Sequence, residues 1–88
     1  MTLFSEYLSE YLKHLRMAKN YSENTILSYK NDLDQLERFL LTTYNVSILT
    51  SITSMMLRSF IANLAKEGIA PKSLNRKISS IKSFFIHQ

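Results

Sequence analysis

His14 and His87 are the only imidazoles in this chain of 88 residues, and neither has a second His or a carboxylate at a metal-ligand spacing. Asp32 and Asp34 lie two apart, on different sides of a helix, so they cannot work as an acid–base pair. Gly68 is the sole glycine, which leaves no material for a phosphate-cradling loop. None of the serines has a nucleophile-elbow context. These residues are expected at the surface or in helix caps, and the chain is not expected to be an enzyme by itself. With no Cys there is no disulfide and no Cys-ligated zinc. No cofactor and no metal is implied.

The cations do form a pattern. Residues 69–88 contain Lys72, Arg76, Lys77 and Lys82 and no acid, so this stretch alone accounts for the chain's net charge of +4. Such asymmetry points to a polyanionic partner, most often nucleic acid. On a helix, the side opposite Leu74, Ile78, Ile81 and Phe85 carries Lys72, Arg76, Ser79 and Ser83. Asn75, Ser80 and Lys82 fall on the flanks, with Lys77 near the apolar edge. Small hydroxyl residues between cations let a helix approach a phosphate backbone and donate to it, while Arg or Asn can reach base edges. Pro71 and the free first-turn N–H groups add an anion-attracting end. A merely solvated face is the plainer alternative, and the absence of acids favours DNA. Ser22, Asn24, Thr25, Ser28 and Lys30 make a second uncharged-to-basic set, with Arg16 and Lys19 arriving just before it. Taken alone, that set reads as capping chemistry.

Four amphipathic helices must position these residues, over about 3–18, 23–42, 54–67 and 71–87. Phe4, Leu8, Tyr11, Leu15 and Ala18 recur at helical steps in the first, with Thr2 as its N-cap. Asn20 suits a C-terminal stop, and Ser22 caps the second helix, whose stripe is Ile26, Tyr29, Leu33, Leu36 and Leu40 with Phe39. Residues 44–52 read as a connector. Thr53 caps a third helix that buries Met56, Leu57, Phe60, Ile61 and Leu64. Gly68 belongs at a left-handed C′ position, and Pro71 in the first turn of the fourth helix. Tyr7, Tyr11 and Tyr29 are expected in the core with satisfied hydroxyls, and Met55 and Met56 as core fillers. Short loops make hairpins. The expected fold is therefore all-α, one domain over residues 1–88, with two helical hairpins packed into a bundle. One Gly and one Pro argue against short-stranded β folds. No run of about 18 apolar residues could span a membrane. Freedom from cysteine fits a reducing compartment.

Tyr11-Leu12 and the run Lys19-Asn20-Tyr21-Ser22-Glu23-Asn24-Thr25-Ile26-Leu27-Ser28-Tyr29-Lys30-Asn31-Asp32-Leu33 carry the signature S-x-x-T-x-x-x-Y-x-x-D-L. Downstream come Ile52-Thr53, Leu57-Arg58-Ser59-Phe60, Leu64, Gly68 and Ser73-Leu74-Asn75-Arg76-Lys77-Ile78-Ser79-Ser80-Ile81-Lys82-Ser83-Phe84-Phe85. In order and spacing, nearly the whole chain resembles the N-terminal core-binding domain of tyrosine recombinases, the phage integrases and Xer-type enzymes. Ala70 departs from the Ser cap common in that family.

The resemblance implies a four-helix, SAM-like bundle forming half of a clamp on double-stranded DNA at a recombination site, for DNA integration or recombination. Its second and fourth helices would face the major groove. By motif position, the DNA-binding residues would be Lys19, Ser22, Thr25, Ser28 and Lys30, then Lys72, Ser73, Asn75, Arg76, Ser79 and Lys82. Strand cleavage would belong to a separate catalytic domain, with Arg, Lys and His residues and a Tyr nucleophile, absent from this stretch. The start of the chain directly before the first helix suggests that no arm-site domain precedes it. Other protomers in a synaptic tetramer would be partners, no membrane would be involved, and the location would be the prokaryotic cytoplasm. Two alternatives remain: a helix-turn-helix reading DNA with the fourth helix, to which Leu64, Gly68 and Leu74 are similarly spaced, or a helical protein-interaction module.

Overall fold

The computed structural model describes residues 2–87. Met1 and Gln88 lie outside the described residues, as does the side chain of His87, so the surface expectation for that imidazole falls outside as well. Four helices are observed: α1 (Phe4–Met17), α2 (Glu23–Tyr44), α3 (Ser54–Lys66) and α4 (Pro71–His87), with a 3-10 turn at Leu49–Ser51. The fold is all-α. The one extended pairing among the described residues is an isolated bridge between Leu3 and Ile48.

The helix ends follow from local chemistry. Ser22 Oγ accepts the Thr25 N–H at 3.3 Å, and Thr53 Oγ1 accepts the Met56 N–H at 3.2 Å, so both expected caps form. Gly68 takes φ +88° and Asn20 φ +53°, the left-handed positions where the chain turns between helices. Thr2 is not the cap of α1. Leu3 occupies that position, and its N–H donates to Glu6 Oε1 at 3.1 Å. The Thr2 carbonyl instead accepts the Leu49 N–H at 2.9 Å, and the Phe4 N–H donates to the Ser47 carbonyl at 2.8 Å. The start of α1 is thereby stitched to the connector. That stitching buries Leu49, a residue the loop reading gave no core role. α2 runs two residues past the expected Thr42, because Tyr44 packs its ring on Phe39 and Asn45 supplies a left-handed stop at φ +56°.

The core joins Phe4, Leu8, Tyr11 and Leu15 of α1 to Ile26, Leu33, Leu36 and Leu40 of α2, as their spacing requires. Ala18 lies past the end of α1 and is exposed, and Met55 is 74% exposed rather than a core filler. Phe60 and Leu64 carry the buried face of α3. α4 is rotated from the face its apolar spacing suggests. Phe84, which is not part of the stripe of Leu74, Ile78, Ile81 and Phe85, is 0% exposed, whereas Leu74, Ile78 and Phe85 are only half-buried. Phe84 sits among the rings of Phe4, Tyr7 and Tyr11, with centroids 5.1, 5.0 and 5.3 Å away. Aromatic clustering of this kind outweighs an evenly spaced aliphatic stripe. The same rotation buries Ser80, which the sequence placed on a flank, and brings Ser83 Oγ to 2.7 Å from Tyr11 Oη.

Phe84→Ala should lower the unfolding free energy by about 3–5 kcal/mol, since it opens a cavity among the α1 rings of Phe4, Tyr7 and Tyr11. Ile86→Ala, at a side chain 81% exposed, should change it by less than about 0.5 kcal/mol. Urea denaturation of the two variants checks the pair; equal losses would contradict the rotation of α4.

Candidate nucleic-acid interface

Burial of Phe84 and Ser80 determines which side of α4 is left outside. That side carries Lys72, Asn75, Arg76, Ser79 and Lys82, all exposed. It lies beside the first half of α2, and two adjoining grooves mark the seam. One, of about 320 Å³, is lined by Thr25, Ser28 and Tyr29 from α2 and by Arg76, Ser79 and Ser80 from α4, with Asp32 at its base. The other, of about 510 Å³, runs between the end of α1 and the second half of α4. It is lined by Tyr11, His14, Lys19, Tyr21, Ser79, Lys82 and Ser83 among others, and includes no carboxylate. Ser79 lines both. Six of the expected DNA-binding residues, Lys19, Thr25, Ser28, Arg76, Ser79 and Lys82, thus meet on one continuous surface.

The remaining expected residues are placed differently. Ser22 is engaged as the cap of α2, with its hydroxyl also 2.9 Å from Thr25 Oγ1. Lys30 donates to Asp34 Oδ2 at 2.7 Å and lines a separate groove between α1 and α2, with Arg16 and Glu23. Lys72, Ser73 and Asn75 lie in the first turns of α4, outside both grooves. Ser28 Oγ donates to the Asn24 carbonyl at 3.1 Å, so it must turn away from its own helix to donate to a phosphate.

Sequence reasoning missed one residue at the base of this surface. Asp32 was expected at the surface, yet it is 2% exposed. Its Oδ1 accepts from Arg76 Nη2 and from Lys77 Nζ, each at 2.9 Å, and its Oδ2 accepts from Ser80 Oγ at 3.0 Å. Lys77 Nζ also donates to Gln35 Oε1 at 2.9 Å. A carboxylate can be buried only when paired and hydrogen-bonded in this way. A signal was present: Asp32 shares a helix face with Tyr29 and Leu36, at steps of three and four, and so sits within the apolar stripe of α2.

The turn carrying Lys19 and Tyr21 is held at both ends. Arg16 Nε and Nη2 grip the two carboxylate oxygens of Glu23 at 2.9 and 3.2 Å across that turn. The Arg16 hydrogen bond holds the Glu23 carboxyl below its ordinary pKa, and the same bond raises that of Arg16. Tyr21 stacks on Tyr29, with centroids 6.0 Å apart and planes 16° from parallel. Burial raises the pKa of Tyr11, opposed by its bond to Ser83, so the phenol at the floor of the larger groove is a neutral hydroxyl near pH 7. Among the described residues no group of three His, Asp or Glu could hold a metal ion, and no helix is long and apolar enough to cross a membrane.

Comparison with known proteins matches residues 8–87 to the family described as phage integrase, N-terminal SAM-like domain. The tyrosine recombinase XerD of Rickettsia bellii is 38% identical over 80 residues, covering 91% of this chain and 26% of that protein. XerD of Rickettsia prowazekii is likewise 38% identical over 80 residues, covering 91% of this chain and 25% of that protein. The tyrosine recombinase XerC of Chlorobaculum tepidum is 32% identical over 84 residues, covering 90% and 25%. The chain spans about a quarter of the length of the curated relatives it matches. No solved structure matches it.

The Arg16–Glu23 clasp has a pH signature. A depressed carboxyl pKa contributes stability that is present above the unfolded value, near 4.3, and is lost as pH falls through the folded one. Carbon-detected titration of the Glu23 carboxyl should give a midpoint below that of free Glu. Arg16→Ala should return it to the ordinary range, and an unchanged midpoint would break the clasp assignment.

Proposed function

We infer the function of this chain from its family: it belongs to the phage integrase N-terminal SAM-like domain family. From that premise we propose that the chain is the non-catalytic DNA-clamping part of a site-specific tyrosine recombinase. The observation that carries this reading is the single surface on which Lys19, Thr25, Ser28, Arg76, Ser79 and Lys82 adjoin. Cations there neutralise phosphates, and the hydroxyls between them donate to phosphate oxygens without holding the helix away from the duplex. Arg76 has the fork geometry to grip a phosphate at the groove wall while its remaining donors face a guanine edge in the major groove. α2 contributes its N-terminal half, where the helix dipole also favours an anion. Lys72, Ser73 and Asn75 extend the contact along the start of α4, while Ser22 acts through the cap and Lys30 contributes at the margin.

Strand cleavage and rejoining belong, in this reading, to the part of the recombinase outside the matched stretch. Its catalytic domain completes the clamp, and it works in the bacterial cytoplasm, where the duplex is. Contact with neighbouring protomers in a recombination assembly has its own supporting observation. Leu57, Ile61 and Ala62 of α3 and Ile78 and Ile81 of α4 line an apolar groove of about 440 Å³, with Arg58 and Lys82 at its rim. A helix-turn-helix arrangement finds less support, because α4 is anchored through Phe84 to α1, a contact that reading does not use.

Titration of the ¹⁵N-labelled chain with duplex DNA at low salt should shift amides of α4 and of the first half of α2. The dissociation constant should be on the order of 10⁻⁴–10⁻⁶ M, weakening steeply with salt. Lys82→Ala and Arg76→Ala should each weaken binding and reduce the salt slope by about one unit, with a smaller effect for Lys30→Ala. Saturating DNA without shifts, or shifts confined to α3, would defeat the proposal.

A further inference from the structure

We propose that Asp32 is a positioning residue for DNA recognition: from beneath the interface it fixes the guanidinium of Arg76 in the seam between α2 and α4. This deepens the DNA-binding reading above and rests on it. Asp32 itself cannot touch DNA, being 2% exposed and repelled by phosphate. Its effect must pass through Arg76.

The charge balance shows how. Two cations, Arg76 and Lys77, share one carboxylate oxygen, so the cluster keeps one positive charge in surplus. The Lys77 side chain is only 14% exposed, and its ammonium is spent on Asp32 Oδ1 and Gln35 Oε1, each at 2.9 Å. The Arg76 side chain is 55% exposed. The surplus charge therefore resides at the surface, on Arg76. Arg76 commits only Nη2 to Asp32, and its Nε and Nη1 make no hydrogen bond among the described residues. A fork held by one tine keeps the other donors free while losing most of its rotamer freedom beforehand. Ser80 braces the other carboxylate oxygen, so the carboxylate plane is fixed as well. Thr25, Ser28 and Ser79 line the groove into which the remaining donors open.

The test exploits a difference of sign. Removing an acid from a cationic DNA-binding protein raises its net charge and by itself tightens binding. Positioning requires the reverse for Asp32→Asn. Duplex affinity of the 88-residue chain is measured for wild type, D32N, R76A and D32N/R76A, at a temperature where circular dichroism shows each to be folded. D32N should bind about five- to tenfold more weakly than wild type, with a salt slope smaller by about 0.9, the share of one phosphate contact. In the R76A background the same change should cost less than about twofold. Ser80→Ala removes only a brace, tests the same point should D32N not fold, and should weaken binding about two- to threefold, again only when Arg76 is present. Unchanged or tighter binding by folded D32N, or by S80A, overturns the proposal. So does a D32N loss of equal size in the R76A background, which would make Asp32 a general support of the fold. Wild-type chain that binds no duplex overturns the DNA reading together with this one, and so is distinguished from either.

Discussion

A carboxylate inside a small helical bundle is the constraint on which the rest of this structure depends. Asp32 stands within the apolar stripe of α2, and its charge is tolerable there only with donors on both oxygens. Arg76, Lys77 and Ser80 supply them from successive turns of α4. That demand sets how α4 lies against α2, in rotation and in axial position together. A purely apolar seam would leave sliding and rotation cheap. A fixed point charge with three partners does not, and any slip strands either the acid or Lys77 in a poorly solvated place.

The aromatic contacts settle the other side of α4. Phe84 among Phe4, Tyr7 and Tyr11 ties it to α1, and the Tyr11–Ser83 hydrogen bond lies one residue away. α4 is thus held by polar contacts toward α2 and by rings toward α1. The face left over is the one with Ser79 at its centre and Arg76 and Lys82 to either side. Packing and charge arrive at the same outward surface from opposite directions, so the candidate interface is a by-product of how the core is satisfied. α3 takes little part in this. It covers the far end through Phe60, whose ring lies 5.2 Å from Phe39.

Helix number, helix type and most boundaries were legible because they rest on local rules. Ser22, Thr53, Gly68 and Pro71 act within a few residues of their own position. So do the stripes of α1 and α2. What was not legible depended on partners far away in the chain. The phase of α4 is ambiguous from spacing alone, since Ile78, Ile81, Phe84 and Phe85 give two overlapping stripes. Only the ring cluster on α1 and the acid on α2 choose between them. For the same reason Ser80 and Ser83 read as outward hydroxyls and are not, while Asp32 read as a surface acid. Six of the residues that line the two grooves had been singled out by charge and motif position. The division of Arg76 between an internal partner and the surface could not be, because a sequence lists cations without saying which acid lies beneath them.

Phe84 has a further consequence, for the order in which the chain can be completed. Its ring closes on residues made long before it in the chain, and Tyr11 waits for Ser83 across 72 positions. Until α4 has left the ribosome, Phe4, Tyr7 and Tyr11 have no lid, and Asp32 has no cations. The α1–α2 hairpin therefore emerges with an aromatic face open to water and to other nascent chains. Any longer protein built on this bundle passes through that interval before its later domains exist. The last helix is thus both a reader of DNA in the proposed clamp and the piece that ends the exposure of the first.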